Sequence, residues 1–185
     1  MTRVPGVSGC GIELNPAQAE LARANRAANG LDGLTIVTGD IAMVVPDGVF
    51  DHAFANPPYH PDSGSVSPNP VRSLAKQASI ELLTHWANAL ARPLRLRGTL
   101  TFILPAASLP ACIAAMAASG CSVDAILPLW PKAGTPAKLI VVRGIKGGRG
   151  RMRLMPGLVL HHPAGRFTPA ADAILRDAGA LSLDH

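Results

Sequence analysis

The chain has 185 residues, a 48% apolar fraction, a 16% charged fraction and a formal net charge of +5. That length and composition fit one folded domain with a sizeable core and exclude a disordered chain. No apolar run reaches the length of a membrane span, the start lacks the apolar stretch of a signal peptide, and three scattered cysteines exclude a disulfide framework or a Cys-rich zinc site. A reducing cytoplasm is the expected compartment.

In chain order, apolar strands alternate with helical segments, the pattern of a mostly parallel α/β sheet. Val7 to Glu13 reads as a strand. Asn15 caps a helix with Pro16 at its first position, an apolar stripe of Leu21, Ala24 and Ala28, and an end at Asn29-Gly30. Leu34 to Thr38 is a strand ending at Gly39-Asp40. Val49 to Ala55 is expected to be a buried strand, leading into Asn56. Residues 60–70, rich in Pro, Ser and Gly, read as a loop. Ser73 to Leu94 is a long helix burying Leu82, Trp86 and Leu90. Thr99 to Leu104 is a strand, and Leu109 to Ala118 a helix stopped by Gly120. Val123 to Leu129 and Leu139 to Val142 read as an antiparallel pair. The tail offers a short strand at Leu158 to Leu160 and a helix from Pro169 to Asp177.

In open α/β sheets, ligands bind beyond the carboxyl ends of the strands. Glu13, Asp40 and Asn56 fall at such ends. A strand-end carboxylate can accept from ribose hydroxyls. Asp40 can accept from an adenine amino group, and Ile41 can lie against the ring. In Asn56-Pro57-Pro58-Tyr59 the prolines fix φ and remove two donors, leaving their carbonyls to point outward. The Asn56 amide offers an acceptor and donors, and the Tyr59 ring a face for a planar group.

Asn56-Pro57-Pro58-Tyr59 resembles the signature of S-adenosylmethionine-dependent amino-methyltransferases. The order Ile12-Glu13-Leu14-Asn15-Pro16, Asn29-Gly30, Gly39-Asp40-Ile41 and Asn56-Pro57-Pro58-Tyr59 is similar to motifs two to four of class I methyltransferases. Lys146-Gly147-Gly148-Arg149-Gly150, Leu158-Val159-Leu160-His161 and Gly165-Arg166-Phe167-Thr168-Pro169 resemble the bacterial tRNA adenine-N6 branch. The resemblance implies a Rossmann-like fold with helices on both faces of the sheet. It implies S-adenosylmethionine held by Glu13, Asp40, Ile41 and Asn56. It also implies a target amine held at Asn56, Pro57, Pro58 and Tyr59, and a tRNA or other RNA substrate.

The family also has a first strand and a Gly-rich loop for the methionine end of the cofactor. Gly9-Cys10-Gly11 mimics that loop but lies inside the strand that should follow it. The first strand and helix are therefore expected to be lacking, with weak cofactor binding and association through unpaired sheet edges as consequences.

No Asp or Glu occurs from Ala125 to Ala171, and within that span Lys146, Arg149, Arg151 and Arg153 form a Gly-rich cluster suited to nucleic-acid phosphates. A solvated basic loop is the alternative. His161-His162 has no spaced partner for a metal site. Two other functions remain open: a catalytically silent RNA-binding remnant, and a protein-glutamine methyltransferase, which would leave the basic tail without a role.

Overall fold

A computed structural model describes residues 4, 6–44, 46–58 and 70–183, with side chains of the long helix described from residue 80 onward. Tyr59 and nearly all of the expected loop over residues 60–70 lie outside the described residues; Pro70 already belongs to a helix. The chain forms two compact units, Met1–Gly48 and Val49–His185.

In the first unit, β1 (Gly9–Glu13) pairs in parallel with β2 (Leu34–Thr38), Gly9 facing Leu34 and Glu13 facing Thr38. Between them runs α1 (Pro16–Ala28). The Asn15 side-chain oxygen accepts from the Ala17 N–H at 2.9 Å and the Gln18 N–H at 3.3 Å, which satisfies two orphan donors of the first turn. The helix buries a different stripe from the expected one. Leu21, Ala24 and Ala28 are exposed, Ala19 is buried, and Ala22, Arg23 and Arg26 are half-buried. The two arginines set this phase. Arg23 donates to the Ile36 carbonyl and the Thr38 hydroxyl, and Arg26 to the carbonyls of Leu31 and Asp32. Their stems cover apolar surface while their heads satisfy backbone acceptors.

The second unit is a six-stranded sheet ordered β3-β4-β6-β5-β7, with β8 also pairing β5. Its elements are β3 (Phe50–Ala55), α2 (Pro70–Ala91), β4 (Leu94–Pro105), α3 (Leu109–Ala118), β5 (Cys121–Lys132), β6 (Leu139–Lys146), β7 (Arg153–Leu154), β8 (Leu158–His161) and α4 (Pro169–Leu175). β3 runs parallel to β4, and β6 antiparallel to both β4 and β5. The expected antiparallel pair is therefore present, and each of its strands is longer than the sequence pattern marked.

Along β4, Leu100, Phe102 and Leu104 alternate into the main core, the period-2 signature of a strand. They meet Leu83, Ala87 and Ala91 of α2, spaced one turn apart, and Cys112, Ala115 and Met116 of α3. Burying a side chain such as Leu or Phe stabilises by about 2–3 kcal/mol. The expected Leu82 and Leu90 are half-buried beside this stripe, with Trp86 packed on its margin. On the other face a smaller cluster joins Leu127, Leu129, Val141 and Met155.

β3 departs from the expected buried strand. Asp51, His52 and Phe54 are exposed, Phe54 at 83%, while Phe50, Ala53 and Ala55 pack on the core. Only one face of β3 meets α2, so an apolar run did not mean burial on both sides. A bulge precedes the regular pairing: Phe50 faces Leu94, but His52 already faces Thr99. Arg97 takes φ +68 within it. Arg95 donates to Asp51 at 2.5 Å across the bulge, and this bond holds the Asp51 carboxyl below the usual carboxylate range.

Candidate functional site

In the first unit, parallel pairing brings two of the expected cofactor residues to one end of the small sheet. Glu13 is the last residue of β1 and faces Thr38; the Gly39 N–H donates to the Glu13 carbonyl at 2.9 Å, which sets Asp40 immediately beyond. One Glu13 carboxylate oxygen accepts from the Asn15 N–H at 2.8 Å. One Asp40 oxygen accepts from the Ala42 N–H at 2.8 Å. Each carboxylate is thus oriented by a local backbone donor and keeps a second oxygen for an outside hydroxyl or amine. Ile41, half-buried, follows in the turn. Two adjacent, preoriented acceptors suit the hydroxyl and amino groups of a nucleoside, so these residues fit the adenosine part of the cofactor that the sequence implied.

In the second unit, Ala55 closes β3 opposite Phe102, and Asn56-Pro57-Pro58 leaves the sheet at the carboxyl end of the parallel β3–β4 pair. Pro57 is among the most completely buried side chains of the described structure, whereas Asn56 and Pro58 are exposed. The fixed φ of Pro57 and its buried ring anchor the segment, so the Asn56 amide is presented on a stiff support. The remaining member, Tyr59, lies outside the described residues.

The basic cluster divides into two parts. Lys146 Nζ donates to the carbonyls of Ala91, Arg92 and Leu94 at 2.8, 3.2 and 2.8 Å. An ammonium has three protons, and all three are committed to the end of α2 and the start of β4. Arg153 donates to Asp124 at 3.3 Å and to the Leu183 carbonyl at 2.7 Å. Arg143 binds the same carboxylate at 3.1 and 2.7 Å. Lys146 and Arg153 therefore do structural work, contrary to the expected uniform phosphate patch. Arg149 and Arg151 remain exposed on the Gly-rich loop.

That loop lies far from Asn56. Phe102 faces both Ala55 and Val142, while Thr99 faces Ile145, because β6 runs antiparallel to β4. Lys146 thus sits four residues down β6 from the level of Ala55, about 13 Å at strand rise, and Arg149 and Arg151 follow it. The sequence did not show this, because linear spacing says nothing about strand direction.

Among the described residues, no cluster of His, Cys, Asp and Glu could hold a metal ion. His161 stacks on Phe167 with ring centroids 4.6 Å apart, which gives it a packing role.

No family model matches the chain, and no curated protein matches it. Solved structures are similar to it in fold. A predicted O-methyltransferase from Agrobacterium tumefaciens aligns with TM-score 0.71 and 22% identity, covering 93% of this chain and 78% of that one. A protein from Listeria monocytogenes described as a class I S-adenosylmethionine-dependent methyltransferase aligns at 0.60 and 14% identity, covering 86% and 52%. TrmN from Thermus thermophilus aligns at 0.52 and 15% identity, covering 76% and 37%. The chain therefore spans about half and about a third of the length of the latter two. The fold is the Rossmann-like fold of class I methyltransferases, with a parallel two-stranded sheet in the first unit and a mixed six-stranded sheet in the second.

Proposed function

We propose that this chain is an S-adenosylmethionine-dependent amino-methyltransferase whose target is adenine N6 in tRNA. The observation that carries the proposal is the exposed Asn56 amide on a buried Pro57 anchor at the carboxyl end of β3. The methyltransferase fold and the preoriented carboxylates of Glu13 and Asp40 support it.

When bound, S-adenosylmethionine supplies an electrophilic methyl group. Glu13 and Asp40 would hold its ribose and adenine by accepting from their hydroxyl and amino groups. Asn56 Oδ1 accepts one N–H of the target amine and the Pro57 carbonyl accepts the other. These two bonds fix the plane of the amine and direct its nitrogen lone pair, so the contribution of the protein is positioning. No strong general base is required, since the amine proton leaves to water after the nitrogen has become cationic.

Isothermal calorimetry with S-adenosylmethionine tests the cofactor, and mass spectrometry of digested tRNA after incubation with methyl-labelled cofactor tests the target. Micromolar binding together with labelled N6-methyladenosine would support this reading. No binding at millimolar cofactor would instead support a silent RNA-binding remnant. Label on glutamine of a protein substrate, with none on tRNA, would support a protein-glutamine methyltransferase.

A further inference from the structure

We propose that the nucleic-acid-binding surface is a basic rim at the Asn56 end of the six-stranded sheet, formed by Lys138, Lys132 and Arg166, and that the Gly-rich loop at the opposite end contributes little. The inference rests on the proposed action on RNA and names the surface that would receive it.

The strand register places these three cations. Lys138 directly precedes Leu139, which faces Pro105, three residues beyond the Phe102–Ala55 level in the direction in which Asn56 leaves β3. The β4-to-β6 order puts Lys138 two strands from β3, about 10 Å sideways at normal strand spacing. Lys132 ends β5 at the same end, one strand further, because Leu129 faces Leu139. β8 runs parallel to β5 with His161 facing Lys132, so the turn carrying Arg166 rises beyond the same end. Lys138, Lys132 and Arg166 are all exposed. They step away from Asn56 on successive strands over about 20 Å. That is a track for several phosphates of a strand whose target base is held at Asn56.

The rim is also preorganised. Lys132 Nζ donates to the Pro163 carbonyl at 3.1 Å, tying the β8 turn to the β5–β6 hairpin. That hairpin is closed by the Thr135 hydroxyl, which donates to the Lys132 carbonyl at 2.7 Å. The turn is closed by the His162 N–H donating to the Arg166 carbonyl and the Gly165 N–H to the His162 carbonyl. Trp130 Nε1 donates to the Pro156 carbonyl at 3.1 Å, and this approach needs Gly157, at φ +88, since a side chain there would collide with Trp130. Residues 125–171 contain no Asp or Glu; among the described residues that flank this span, Asp124 is buried against arginines and Asp172 pairs with Arg176 at 3.0 Å. Cations carried on a braced hairpin and turn attract phosphates with less ordering cost than a Gly-rich loop does.

The test compares two double variants of the full chain, Lys138→Glu with Arg166→Glu and Arg149→Glu with Arg151→Glu. Binding of unfractionated bacterial tRNA is followed by fluorescence anisotropy across a salt series. All four positions are exposed, and matching thermal melts will verify folding. The rim variant is expected to lose on the order of tenfold or more in affinity and to flatten the log–log salt slope by roughly 1.5–2, as for two lost phosphate contacts. The loop variant is expected to bind like the parent. A loss carried by the loop variant alone, or equal losses in both, would overturn the rim. A parent chain that binds no tRNA would overturn it too. S-adenosylmethionine calorimetry on the parent reports separately on the methyltransferase reading.

Discussion

The Lys146 ammonium donates to the Leu94 carbonyl at 2.8 Å, joining the last residue of β6 to the first residue of β4. With the Ala91 and Arg92 carbonyls it completes a charged cap on the end of α2, where a cation also meets the negative end of the helix dipole. A residue that the chain presents as part of a basic loop is thus a structural staple.

Lys146→Met is therefore expected to destabilise the second unit by about 1–3 kcal/mol, through half-buried carbonyls left without their charged donor. Denaturant unfolding measures it, with tRNA affinity compared at a temperature where both proteins are folded. Unchanged stability with weakened tRNA binding would return Lys146 to a phosphate role.

Asp124 is 7% exposed and holds Arg143 and Arg153 together, and both arginines also donate to the Leu183 carbonyl, at 3.3 and 2.7 Å. Removing one partner of a buried pair leaves charge behind without its counter-ion. Asp124→Ala should cost about 3 kcal/mol and loosen the C-terminal segment near Leu183. Calorimetric melting and limited proteolysis of the tail read the two effects. Replacing Asp124 with Leu and Arg143 with Met together should cost less than Asp124→Ala alone; equal or greater cost would mean the ion pair itself is stabilising.

Asn56→Ala should lower methyl transfer by on the order of 10²-fold or more, while S-adenosylmethionine binding survives. The Asn56 side chain is exposed, so the fold has no reason to suffer. Single-turnover assays with labelled cofactor give the rate. Near-normal turnover would remove Asn56 from the reaction.

Burial pushes the Cys112 thiol from 9.0 up to about 12. The folded state keeps this proton where the unfolded chain has lost it. Its contribution to stability is therefore constant below pH 9 and declines as pH rises from 9 toward 12, by at most about 1.4 kcal/mol per pH unit. Unfolding at pH 7, 9 and 10.5 should show that decline, and Cys112→Ala should reduce it. The folded thiol should also resist alkylation at pH 8; rapid labelling of Cys112 without unfolding would contradict its burial.

Some of this was legible in the linear sequence because it is local. Asn15 and Pro16 start α1 as a cap and first-turn proline must, and the Asn15 amide oxygen holds two N–H groups of the first turn. Leu34–Thr38 and Leu109–Ala118 were marked by turn residues at their ends, and both elements occupy those spans. The strand-end positions of Glu13 and Asp40 followed from the same local reading, as did the exit of Asn56 from β3. Each depends on residues a few positions apart, whose torsions and hydrogen bonds are set by immediate neighbours.

Tertiary structure alone decided the rest. Which stripe α1 buries depended on Arg23 and Arg26 reaching acceptors on and just before β2. The exposure of Phe54 depended on which faces of β3 the second unit covers. The fate of the basic residues depended on register: Lys146 meets carbonyls more than fifty positions earlier, and Lys132 and Lys138 come to the Asn56 end, because β6 turns back antiparallel between β4 and β5. A strand's composition records that it will pair. Its partner, direction and register are fixed by the sum of contacts across the whole sheet, and the electrostatics of the surface are fixed with them.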